Sequence, residues 1–99
     1  MAQTPEEIKA KKIAKKRAQI NAKVAQMDKY EAKKGDANSL KDAAIVSSQN
    51  TTDVKVKAKI EKSIVVLDKR IVRLQGSIDR LEAKRLQYAQ ELATLLGRF

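Results

Sequence analysis

The sequence predicts an all-α protein: two long helices joined by an ~18-residue linker, closing as a helical hairpin or associating as a coiled-coil oligomer. Three observations carry that expectation. Apolar residues recur at alternating steps of four and three from Ile60 to Phe99. Glycine and proline are scarce, three and one in 99 residues, which leaves few places for tight turns. Aromatic residues reach only 3%, few for a compact core of this size, while charged residues reach 34%.

The first helix is expected over residues 5–34, after a tail of residues 1–4. Thr4-Pro5-Glu6-Glu7 supplies a capping hydroxyl, a proline at the first helical position and two carboxylates at the positive end of the helix dipole. Gly35, preceded by Lys33 and Lys34, reads as the stop. Wound at about 100° per residue, this helix has three faces. Ile13, Ile20, Val24 and Met27 make an apolar stripe, Ala10, Ala14, Ala18, Ala25 and Ala32 a small-residue face, and the lysines a broad basic face. Residues 35–52 change character, being small, polar and turn-forming, and read as a linker. Ser39 and Asp42 can cap a short helix at 40–46 within it.

The second helix is expected over residues 53–97, with 98–99 as the C-terminal end. Thr51 or Thr52 is the candidate cap, Asp53 suits the first turn, and Gly97 can end the helix with a positive φ. Its seam places Ile64, Ile71, Ile78, Arg85, Leu92 and Phe99 at a, and Ile60, Leu67, Leu74, Leu81, Tyr88 and Leu95 at d. Isoleucine at a with leucine at d favours two strands, so self-association through this seam is expected. Arg85 interrupts the seam and must reach water or a carboxylate, Glu82 or Glu91 of a partner. A second stripe, Val65, Val72, Leu86 and Ala93 at b with Val66 and Leu96 nearby, asks for a further cover, for which the first helix is the expected candidate.

Composition narrows the function. The chain has no cysteine and no histidine, which removes the thiol nucleophile, the commonest general base and the usual transition-metal ligands. No glycine-rich phosphate loop is present, and the carboxylates are scattered among lysines. A non-enzymatic protein is expected, with no catalytic residue, cofactor or metal site. No apolar run approaches membrane-spanning length, and MAQTPEEI lacks the layout of a signal peptide. A cytoplasmic or virion location follows as an expectation.

The net charge of +10 favours anionic partners. Its densest stretch is IKAKKIAKKR, residues 8–17. Lys9, Lys11, Lys12, Lys15, Lys16 and Arg17, with Lys23 beyond, are the candidate phosphate-binding residues, and the same strip also reads as the solvated face of an amphipathic helix or as a surface for anionic lipid. The strip has lysines rather than arginines and no interleaved aromatic, so contact is expected by charge, without base readout. Such a protein would organise or pack nucleic acid inside an assembly, such as a phage particle or plasmid-transfer complex. The alternative is a structural or adaptor component, a minor virion or scaffold protein, whose helices dock onto protein. The order basic helix, loop, zipper helix resembles a basic helix-loop-helix zipper, but the base-reading strip of arginines with a glutamate is absent from 8–17. RAQINAKV, residues 17–24, is similar to a helical stretch of small plasmid mobilisation proteins; it covers under a tenth of the chain and implies no function.

Overall fold

The computed structural model describes residues 2–97. They form two helices, α1 (Pro5–Asn50) and α2 (Val54–Leu95), joined by the short turn 51–53. The chain is an all-α helical hairpin.

The start of α1 follows its sequence signal. Pro5 is the first helical residue, and the Thr4 hydroxyl accepts the Glu7 N–H at 3.2 Å. The Thr4 carbonyl accepts from Ile8 at 3.1 Å, closing the first turn. The expected stop at Gly35 is not used. Helix α1 runs through Gly35 and the whole of 35–50, so neither the linker over 35–52 nor a separate short helix at 40–46 exists. A glycine inside a helix costs about 1 kcal/mol relative to alanine, which packing elsewhere can offset. Here the residues after Gly35 supply it: Ala37 is buried, 2% exposed, Ala44 and Ile45 are half-buried and Ser48 is buried. Lys33 and Lys34 are mid-helix residues, not a terminal turn.

The turn is capped by Asp53 rather than by a threonine alone. One Asp53 carboxylate oxygen accepts from the Lys55 N–H at 2.9 Å and the Val56 N–H at 3.2 Å. Thr51 steadies it by accepting the Asp53 N–H at 3.4 Å. Helix α2 ends as its sequence predicts: Gly97 takes φ 71° and donates to the Thr94 carbonyl at 3.0 Å. Phe99, placed at a in the seam, and the 98–99 end lie outside the described residues.

The residues gather into two compact units. One combines 29–50 of α1, the turn and 54–78 of α2; the other combines 5–28 of α1 with 79–95 of α2. In the first, Lys34 Nζ donates to Gln75 Oε1 at 2.5 Å, and Lys41 Nζ pairs with Asp68 Oδ1 at 2.6 Å. Seven residues forward along α1 thus correspond to seven residues backward along α2, an antiparallel register. In the second, Lys16 pairs with Glu91, and its ammonium lies 5.0 Å from the centre of the Tyr88 ring.

On α2, Ile60, Ile64, Leu67, Ile71, Leu74, Ile78, Leu81, Arg85, Tyr88, Leu92 and Leu95 are half-buried or buried, and so are residues off that stripe such as Asp68, Gln75, Ser77, Glu82 and Ala89. Within each unit this stripe faces α1, and of the second stripe only Ala93 and Leu96, near the end of α2, are half-buried. Val65, Val66, Val72 and Leu86 stay exposed, Val72 by 71%. Most covered positions of α1 also alternate in steps of three and four: 13, 16, 20, 23, 27, 30, 34, 37, 41, 44 and 48, with Gln19 and Ile45 half-buried beside them. Four of them are lysines. Their methylene stems can cover apolar surface while the ammonium reaches a polar partner at the edge. The alanine face of α1 (10, 14, 18, 25, 32) is exposed. Only Ala37 and Ile78 are buried apolar residues among those described, so the core is thin.

Candidate nucleic-acid and protein interfaces

Twenty consecutive residues of α1, from Ile8 to Met27, hold seven lysines or arginines and no carboxylate. The fold divides these cations. Lys16 and Lys23 sit on the covered stripe, and Lys16 is committed to Glu91 and Tyr88. Lys9, Lys11, Lys12, Lys15 and Arg17 are exposed. Lys11, Lys12 and Lys15 fall within about 100° of one another around the helix, while Arg17 lies about 120° or more away. Lys9 falls between Lys12 and Arg17, so the exposed cations spread over about 240° of the helix, while Lys16 and Lys23 lie on the covered stripe.

Opposing charge is used locally at the other end of this unit. The Arg85 guanidinium grips Glu82 with both prongs: Nε donates to Oε2 at 2.9 Å, and the terminal nitrogen pairs with Oε1. Arg85 thus finds its carboxylate one turn away on its own helix, and the seam interruption needs no second chain. The same bond holds the Glu82 carboxyl below its ordinary value. Glu91 is held down as well, first by Lys16, then by the Gln87 amide, which donates to Oε1 at 3.3 Å, and by the field of Lys84; partial burial opposes this.

A second basic surface is spread along α2 and forms no dense run in the sequence. In the unit of residues 29–78, Lys59, Lys62, Lys69, Arg70 and Arg73 are exposed on one side of α2. The heptad itself shows why: these residues fall at c, f and g, whereas Glu61 and Asp68 fall at e on the opposite flank. Counting heptad positions for charge, not only for apolarity, would have found it. In the middle of that side lies Val66, 62% exposed, beside a groove lined by Leu40, Ala44, Lys62, Ser63, Val66 and Leu67. Leu40, 58% exposed, contributes the α1 wall.

Among the described residues no group of three or more carboxylates stands together to hold a metal ion. No helix formed by them is long and apolar enough to cross a membrane. Neither a protein-family model, nor a curated protein, nor a solved structure matches the chain.

Proposed function

We propose that this helical hairpin is a non-enzymatic protein that binds nucleic acid through the phosphate backbone, by charge and without reading bases, as a component of a larger assembly. The observation that supports this reading is the carboxylate-free stretch 8–27, with Lys9, Lys11, Lys12, Lys15 and Arg17 exposed. The stretch itself carries no carboxylate, so its exposed cations outnumber the nearby Glu6, Glu7 and Glu91 and can meet phosphates, each contact releasing counterions. The absence of exposed aromatic residues among them argues against stacking and for sequence independence.

The test is binding of arbitrary duplex DNA as a function of salt. Engagement of three to five phosphates gives log K falling against log salt with a slope of about −3 to −4.5. Replacing the five exposed residues by glutamine should abolish most of that slope. Affinity and slope unchanged in that variant would refute the assignment.

The second reading is a structural or adaptor role. It is favoured by the exposed apolar side chains of α2 and α1, Val65, Val66, Val72, Leu86 and Leu40, which phosphate binding does not use.

A further inference from the structure

Resting on the adaptor reading, and independent of the lysines at 9–17, one surface can be assigned an occupant. We propose that the groove between Leu40 and Val66 docks an amphipathic helix from an acidic partner protein, apolar ridge inward and carboxylates on its flanks.

The groove has a volume of about 520 Å3 and lies between the two helices of the 29–78 unit. Its walls are apolar, formed by Leu40, Ala44, Val66 and Leu67. A shallow open groove of this kind between helices accepts the ridge of a third helix, read as residues at i, i+3 or i+4, and i+7. The α2 rim fixes the sign of the partner. Lys59, Lys62, Lys69, Arg70 and Arg73 outnumber the carboxylates of this stretch of α2, Glu61 and Asp68, and neither carboxylate lines the groove. On α1, Asp36 lies one turn before Leu40, and the Lys33 ammonium lies 5.5 Å from the centre of the Tyr30 ring. The unit carries eleven lysines and arginines against six carboxylates, half of the chain's net charge.

Three other occupants fit less well. A second copy would bring the same cationic rim against itself, and like charges across an interface are disfavoured. A nucleic-acid strand would use the cations and leave Leu40 and Val66 facing its phosphates, and the groove lining holds no aromatic ring to stack a base. A lipid surface is entered by bulky aromatic residues, whereas the apolar groups here are leucine, alanine and valine.

The experiment uses the full-length protein and two fluorescent three-heptad peptides with the same leucine ridge, one flanked by glutamate and one by lysine. Fluorescence anisotropy at physiological salt should show binding of the acidic peptide and not of the basic one. Leu40→Asp and Val66→Asp alter exposed positions and should weaken that binding at least about tenfold, with helicity unchanged. Charge reversal with Lys62→Glu and Arg70→Glu should shift the preference toward the basic peptide. The proposal is overturned if both peptides bind alike, if neither binds, or if the two aspartate variants bind the acidic peptide as the parent does. It is also overturned if those variants lose duplex DNA binding, convert a sedimenting dimer to monomer, or release the protein from phosphatidylserine vesicles. Each of these would give the groove to a different occupant. Duplex DNA binding that depends on residues 9–17 is measured separately and can fail without affecting this outcome.

Discussion

Replacing Gly35 by alanine tests the continuity of α1 directly. Gly35 lies well inside the helix Pro5–Asn50, and a β-carbon built there meets no other atom within 4 Å. The substitution therefore introduces no clash. It removes the backbone freedom that a glycine brings to the unfolded chain, and it improves helix propensity by about 0.8–1.0 kcal/mol. For a chain of this size, about 1 kcal/mol raises Tm by about 4–8 °C. Thermal unfolding followed by circular dichroism at 222 nm reads the shift. The sign decides between two structures. Were Gly35 a helix stop in the left-handed region, as its sequence context suggests, alanine there would cost about 1 kcal/mol and Tm would fall. Gly97 is the internal control: its φ is 71°, so Gly97→Ala is expected to destabilise. A Tm that falls or stays level in Gly35→Ala would refute a continuous α1.

Two further outcomes follow from the packing and the charge pairs. Ile78, 5% exposed, is one of two buried apolar residues among those described, so Ile78→Ala should cost about 2–5 kcal/mol in urea unfolding, whereas Val72→Ala should change stability by less than about 0.5 kcal/mol. Equal urea midpoints for the two variants would contradict the seam. The carboxyls of Glu82 and Glu91 are held below the ordinary value of 4.5, so their contribution is complete above that pH and is lost as pH falls through the depressed values. Stability should decline on acidification, and Glu91→Gln should make that decline shallower; an acid limb as steep as the parent's would remove the Lys16–Glu91 pair from the account.

Much of the candidate site was legible one residue at a time, but not its division. The run 8–17 announces its charge in the sequence, yet whether a given lysine points outward depends on where α2 lies. Lys15 and Lys16 are adjacent in sequence and opposite in fate, one exposed and the other paired with Glu91. The groove at Leu40 and Val66 joins residues 26 positions apart and has no local signature at all.

The sequence by itself determined the helix class, the start of α1 at Thr4-Pro5, the stop at Gly97 and the Ile/Leu stripe of α2. Each of these is a local matter of capping chemistry, backbone freedom or helical period, written within a few residues. Only the tertiary structure decided that α1 continues through Gly35 to Asn50, and that lysines 16, 23, 34 and 41 belong to its covered stripe. A local glycine penalty of about 1 kcal/mol can be offset by small residues packing on a neighbouring helix. A lysine looks like a surface residue until a second helix offers its stem an apolar seam and its ammonium a partner, as Asp68, Gln75, Tyr88 and Glu91 do here.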